Sequence, residues 1–393
     1  MLQLEPADLF ERMSPEAFGE MWHTFQRRWT ERDDRMRIAD AMYRGSFEEF
    51  GPDDQALEPR SPNLPQVATD DMASAAASTP TVRVTPSNGR NPQQEKARHM
   101  EKLGASYLTV SEFPILATRS YMDLLLYGMY AWVVSGDPEN GPYLRRRDPR
   151  GCYPENDFDS LEGIGRCFFG TDVSFSELPA VWRDALRTDS VSRGRRDDFS
   201  PNTKITVVEY FAADRETVGL VYGGGEYNYG IGSHPTRGVP VSTIVKDEPN
   251  PLGVCRVVIG KRPTPDGEPR GHFDQVVNIY RTHVRLMALM LDAADQAVYS
   301  DLYVIDPIGE VTTGGVGYIQ LGPNGKMGRV PPAVPGMTLF AELQMLLDNL
   351  HLGTRYPKAR PGEIDQSQAS SKFAETMMGT LNGVIKGIHQ ISQ

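Results

Sequence analysis

Residues 273–300 read FDQVVNIYRTHVRLMALMLDAADQAVYS, and this stretch decides how the chain is organised. Its apolar side chains recur at alternating steps of four and three residues, which is the a/d pattern of a long amphipathic helix. The stripe consists of Phe273, Val277, Tyr280, Val284, Met287, Leu291, Ala294 and Val298. At a rise of ~1.5 Å per residue the helix spans on the order of 40 Å. Either a globular core or a neighbouring copy would have to cover so long a stripe.

The segments that follow predict a second helix that returns beside the first. A short strand-and-turn insert, Leu302–Gly336, leads into an apolar helix over Met337–Leu352. A polar loop containing Pro357 and Pro361 comes next, and a final helix begins at Ser371. Two helices joined through a small β module form a stalk, and apolar stripes that face sideways need neighbours. The order therefore favours a ring-forming structural protein over an enzyme with a pocket.

The first two thirds of the chain predict an α+β fold. Ser14 and Pro15 are typical of a helix start, and the helix is expected to end near Gly45. Its aromatic row predicts a docking surface for another element or a neighbouring subunit, and consists of Phe18, Trp22, Phe25 and Trp29. Helices are expected over 67–78, 93–103, 114–126 and 177–186. Strands are expected over 81–85, 143–147, 164–169 and 254–259, with a hairpin formed by 204–211 and 217–222.

The composition limits the partners of the chain. A formal net charge of -11 over 393 residues argues against a protein that grips nucleic acid by its phosphates, although DNA could still slide past. The three cysteines, Cys152, Cys167 and Cys255, lack metal-ligand spacing, so neither a disulfide framework nor a zinc site is expected. The longest apolar run, Leu124–Val134, is about half the ~20 residues that span a bilayer. We expect an intracellular protein or a particle component without membrane contact.

No pattern in the sequence requires catalysis. The seven histidines form no HxxxH or HExxH pair, and no Ser/His/Asp order stands out. The glycine cluster between Gly223 and Gly232 lacks the Lys-Ser/Thr of a phosphate-binding loop. We therefore expect no catalytic residue, no metal and no cofactor. The basic run Arg145-Arg146-Arg147 is expected to lie on the surface.

The series of segments resembles the portal protein of tailed bacteriophages from about Asn63 to the C-terminus. The resemblance is carried by Tyr127-Gly128 at the end of a helix, by Asp148-Pro149 followed by Tyr153 and Asp157, by His234 and Gly238 with Val239-Pro240-Val241, and by the long helix ending in Ser300-Asp301 before Leu302-Tyr303-Val304-Ile305. In the family's terms the chain divides into an N-terminal helix and arm (1–60), a wing (61–271), a first stem helix (272–300), a clip (301–336), a second stem helix (337–352), a channel loop (353–370) and a C-terminal wing or crown helix (371–393).

This resemblance implies a homo-oligomeric ring, a dodecamer, at one vertex of a virion capsid. Such a head-tail connector is the DNA translocation channel for viral genome packaging and ejection, and it is assembled in the host cytoplasm. The partners implied are other copies of the chain, double-stranded DNA, the terminase motor, the head-tail adaptor and the major capsid protein. Energy for DNA movement would come from the terminase.

The resemblance also implies three groups of site residues. The ring interface along the stem consists of Phe273, Val277, Tyr280, Val284, Met287 and Leu291. The clip residues that dock the motor and the adaptor are Tyr318, Gln320, Lys326 and Arg329. The DNA-channel loop carries Arg355, Lys358, Arg360, Asp365 and Gln366.

Two other functions remain open at this point. One is a cytosolic α/β enzyme that uses the glycine cluster at Gly223–Gly232, which a monomeric state or a bound nucleotide would favour. The other is a different minor capsid or head-completion protein that has the helices but forms no ring. The number of subunits in the assembly distinguishes all three.

Overall fold

The structure, a computed structural model, confirms a mixed α+β fold. It describes residues 12–46, 63–77, 80, 82–86, 91–137, 141–155, 164–192, 199–222, 241–298, 302–307, 321–329 and 337–356. These residues fall into two compact units. The described part of the first unit lies within 12–40 and 67–274, and that of the second within 41–66 and 275–356.

A five-stranded antiparallel sheet forms the centre of the first unit. Its strands follow chain order and are β3 (Cys152–Pro154), β4 (Arg166–Ser174), β5 (Lys204–Ala212), β6 (Arg215–Tyr222) and β7 (Val241–Pro249). The hairpin expected around position 214 is confirmed, since Phe211 pairs with Glu216 and Thr206 with Val221. Successive side chains of β5 and β6 point to opposite faces of the sheet, and both faces carry apolar residues. Each face therefore offers a separate surface for a helix.

The helix α1 (Pro15–Arg28) covers one face of this sheet. It starts where the Ser14 hydroxyl accepts a hydrogen bond from the Ala17 backbone N–H. Its aromatic row packs on sheet residues that include Tyr153, Phe168 and Tyr210. Trp22 and Trp29 are both buried there, and the Trp29 ring N–H donates to the Pro154 carbonyl. The expectation that this row contacts a neighbouring subunit is therefore wrong, because it forms the core of its own unit.

The helix predicted as continuous over 15–44 is interrupted at Trp29. A second helix, α2 (Thr30–Arg44), follows, and its Arg32 is fully buried. The Arg32 guanidinium donates to the Cys152 carbonyl at 2.6 Å and pairs with Asp33 at 2.7 Å. It also lies 4.7 Å from the ring centroid of Trp29, so hydrogen bonds, an ion pair and an aromatic face together compensate for its burial.

The helix α6 (Ala180–Ser192) covers the opposite face of the same sheet. The core on this side contains Leu186, Ile205 and Leu220, with Trp182 and Phe199 packed at its edge. The first unit is thus a three-layer arrangement of helix, sheet and helix, which gives the sheet no apolar face open to water.

A second sheet, of three strands, completes the first unit. Its order is β2 (Gly141–Arg147), β1 (Met129–Asp137) and β8 (Val257–Lys261), all antiparallel. The helices α3 (Leu64–Ala76), α4 (Asn91–Val110) and α5 (Phe113–Tyr127) precede it in the chain. The strand expected over 81–85 is wrong for its described residues, since 82–86 form no strand.

The second unit contains most of the long amphipathic stretch over 273–298. After a 3-10 turn, Asp274–Val276, come α7 (Val277–Val298), β9 (Leu302–Pro307), β10 (Leu321–Arg329) and α8 (Met337–Thr354). The predicted order of helix, small β module and returning helix is therefore confirmed. The final helix expected from Ser371 lies outside the described residues, as does the glycine cluster Gly223–Gly232.

Candidate functional site: the α7–α8 helix pair

The two helices of the second unit pack against each other in antiparallel directions. Where α7 begins, the Gln275 side-chain amide donates to the Gly353 carbonyl near the end of α8, at 2.6 Å. A side chain at Gly353 would collide with Val276, so the backbones are close at this end. Leu343 and Leu350 on α8 are buried. The pair is thus a stalk built from one chain, as the sequence predicted.

The predicted ring-interface stripe is already partly covered by its own chain. Phe273, Tyr280 and Val284 are fully buried within a single copy. A neighbouring copy can add nothing to the burial of these three side chains. The expectation that the stripe needs a neighbour to cover it is therefore wrong for these three residues. Val277, Met287 and Leu291 are half-buried. Their role between copies stays a prediction.

Large apolar side chains instead point outward from both helices. Leu289 on α7 is 49% exposed, and on α8 Phe340, Met345 and Leu352 are 58%, 55% and 78% exposed. Leu289 follows the buried Tyr280 by nine residues, which is two and a half helical turns and places it on the opposite side of α7. Leu352 follows the buried Leu343 by the same interval. Each helix therefore keeps exposed apolar side chains beside those that its own chain covers.

The β module between the helices is an exposed two-stranded ribbon. Its strands pair Tyr303 with Gly328 and Ile305 with Lys326. Tyr303, Ile305 and Met327 are each about half exposed. Among the described residues no third strand pairs with it, and two strands alone are at best marginally stable in water, so the ribbon is suited to further contacts. Of the predicted clip residues, Lys326 is exposed and Arg329 pairs with Leu302 in the ladder, while Tyr318 and Gln320 lie outside the described residues.

One predicted channel residue, Arg355, marks the end of α8. It is exposed and adopts a left-handed backbone with φ of 51°, a conformation that stops the helix. Just after it, the buried Tyr356 places its carbonyl 2.9 Å from the His351 ring nitrogen Nδ1. The other channel residues, Lys358, Arg360, Asp365 and Gln366, lie outside the described residues.

The histidine on α7 acts as a core residue. His283 is buried on α7, and this burial lowers its pKa. The ring is therefore held in its neutral form at neutral pH. Within the described ranges, no group of three or more His, Cys, Asp or Glu side chains is arranged to hold a metal ion.

Most of the basic run on β2 is used inside the first unit. Arg146 makes two hydrogen bonds of 2.6 Å to the buried Asp123, and Arg147 donates to Glu209 at 2.8 Å. Burial raises the pKa of Asp123 to about 7, against the opposing effect of Arg146. Arg145 alone of the three is exposed. This run therefore offers one exposed cation to a partner.

Comparison with known proteins identifies no family: no protein-family model matches the chain, and no curated protein matches it. Among the described helices, none is both long enough and apolar enough to cross a membrane.

The apolar stripe predicted along each helix did not include the outward apolar residues. On α8 the signal was present in the sequence, since Phe340, Met345 and Leu352 are apolar residues outside the row that contains Leu343 and Leu350. A helix that is apolar on two sides is typical of a layer between two neighbours. Periodicity shows that two rows exist, but only the fold shows which row its own chain covers.

Proposed function

We propose that the protein is a phage portal subunit, which forms a ring at one capsid vertex through which double-stranded DNA enters and leaves. The observation that supports this most directly is the helix pair, in which each helix keeps exposed side chains of different chemistry beside those that its own chain covers: two arginines and Leu289 on α7, and apolar and acidic residues on α8. Two different patches on one subunit favour a heterologous contact, in which one patch meets the other on the next copy, and such contacts close into rings.

The ribbon at the end of the stalk and the net charge fit the same proposal. The exposed apolar residues of β9 and β10 suit a docking surface for the terminase motor or the adaptor. A subunit with a net charge of -11 would repel DNA phosphates, which favours passage over tight binding. The channel residues and the identity of the docking partners remain predictions from the family resemblance.

Native mass spectrometry of the purified full-length chain tests the proposal. A ring predicts one dominant species at about twelve times the subunit mass of 43.7 kDa, with closed rings in negative-stain images. A monomer that persists at the highest concentrations measured would overturn it and favour the enzyme alternative. A small open oligomer would favour another head-completion protein.

A further inference from the structure

On the basis of the proposed ring, we infer that the outward face of α7 in one copy packs against the outward face of α8 in the next, with Arg281 at the level of Asp348 and Leu289 at the level of Phe340. This assigns an interface to residues that the original stripe did not include. The inference rests on two rows of exposed side chains, their charges and the register of the pair within one chain.

The row on α7 is basic at one end and apolar at the other. Arg281, Arg285 and Leu289 follow one another at steps of four, so they share one face of the helix. All three are exposed. Leu289 also lies opposite the buried Tyr280, so this face points away from the covered side of α7.

The row on α8 carries an apolar side chain at one end and hydrogen-bond acceptors at the other, which match the apolar and basic ends of the α7 row. Phe340, Gln344 and Asp348 are spaced by four and are all exposed. The Gln344 side-chain nitrogen donates to Asp348 at 3.0 Å, which leaves the amide oxygen of Gln344 as an acceptor for an incoming donor. Glu342 adds a further exposed carboxylate to this helix.

The register of the pair aligns the two rows level by level. Gln275 bonds to Gly353, and both helices rise by ~1.5 Å per residue in opposite directions. Counting from that contact, each step of four forward on α7 corresponds to a step of four backward on α8. Arg281 then lies within one residue of the level of Asp348, and Arg285 and Leu289 lie equally close to the levels of Gln344 and Phe340. This offset of ~1.5 Å is within the reach of a side chain.

A ring preserves this register between copies. Copies in a ring are related by rotation, which keeps every residue at the same height along the ring axis. When the helix pair runs along that axis, residues that are level within one chain are also level between neighbours. The contact then joins an arginine to a carboxylate, an arginine to an amide oxygen, and two apolar side chains. A two-fold contact of α7 with α7 would instead bring the arginine rows together, and their like charges oppose it.

Charge reversal at one level tests the inference. Arg281→Glu and Asp348→Arg each place like charges against each other at every interface. We expect each variant alone to need roughly tenfold more protein for half-assembly than the unchanged chain, since each subunit makes two such contacts. Arg98→Glu, an exposed change of the same size on α4 in the first unit, is the matched control and should assemble normally.

Mixing the two single variants gives the decisive result. When coexpressed, the new carboxylate at position 281 of one chain meets the new arginine at position 348 of the other, and the remaining interfaces keep their original pairs. We expect assembly to return in rings that alternate the two chains, and also in the double variant Arg281→Glu/Asp348→Arg. Single variants that assemble like the unchanged chain, or mixtures that stay disassembled, would overturn this interface while leaving the ring of the unchanged protein intact. An unchanged protein that forms no ring would overturn the proposed function itself.

Discussion

At the scale of single residues, two glycines set how closely α1 approaches the five-stranded sheet. A methyl group at Gly170 would lie 2.6 Å from the Trp22 ring, and one at Gly219 would collide with the ring of Phe18. Gly219 lies at a β-bulge, where the pairing with β7 shifts by one residue. The aromatic row therefore fits because the strands beneath it lack side chains at these two points.

Replacing Gly219 with alanine should destabilise the first unit by about 1–3 kcal/mol, because the new methyl group overpacks a core that cannot easily move Phe18. The measurement is thermal or urea unfolding of the full chain. Gly136→Ala is the matched control, since Gly136 is also in a strand but has no atom within 4 Å of the position of a new methyl group. Equal stability losses for the two variants would show that backbone freedom, not the contact with Phe18, explains the effect.

Asp123 gives the fold a pH dependence whose sign follows from its raised pKa. The unfolded carboxyl has a pKa near the ordinary value of 3.8, and burial raises the pKa in the fold to about 7. Between these values the folded state holds a proton that the unfolded state has released, so this group makes the fold less stable as pH rises. Asp123→Asn removes this titration.

We therefore expect Asp123→Asn to gain stability relative to the unchanged chain between pH 5 and pH 8, measured by urea unfolding at both values. At pH 5 the carboxyl in the fold is mostly neutral and resembles the amide. The opposite trend, a variant that loses relative stability toward pH 8, would mean that Arg146 stabilises the charged carboxylate more than burial penalises it.

At the scale of secondary structure, α1 is an integral part of the core. The sequence predicted its start at Ser14-Pro15 and its aromatic row, since both are local signals. It could not predict that the row faces the chain's own sheet, because the strands it covers come between 120 and 230 residues later. The break at Trp29 has a similar origin: the Trp29 ring N–H donates to the Pro154 carbonyl, a contact between residues 125 positions apart.

Trp22→Ala should destabilise the first unit by about 3–5 kcal/mol, because it removes a buried ring that packs edge-on against Tyr153 at 5.0 Å. Thr24→Ala, at an exposed position on the same helix, is the control and should change stability little. Circular dichroism melts of the full chain provide the comparison. A Trp22→Ala chain of normal stability would contradict the assignment of this row to the core of its own unit.

The helix α7 shows that periodicity predicts a helix but not the surface that covers it. The a/d spacing over 273–298 predicted α7 well, because a stripe of that length leaves little choice of secondary structure. The same spacing does not say what covers the stripe. Tyr280 and Val284 are covered within their own chain, whereas Leu289, absent from the stripe, remains exposed.

At the scale of the whole molecule, the order of elements was more predictable than their grouping. Helix, ribbon and returning helix follow from local patterns in residues 273–352. The grouping of 12–40 with 67–274 in one compact unit depends on contacts distant in sequence, and the sequence expectation treated 1–60 as a separate arm.

Of the candidate site residues, the six along the predicted stem could be located. Most of the predicted channel loop lies outside the described part of the chain.

The covering of the five-stranded sheet by α1 has a consequence for biosynthesis. Met13 donates its backbone N–H to Asp247, so α1 makes all its contacts with the sheet only after β7, the last strand, has left the ribosome. At roughly 5–20 residues per second, the delay is on the order of 10–50 s. Until β7 has emerged, the sheet that the aromatic row covers is incomplete, which makes this segment a target for chaperones during translation.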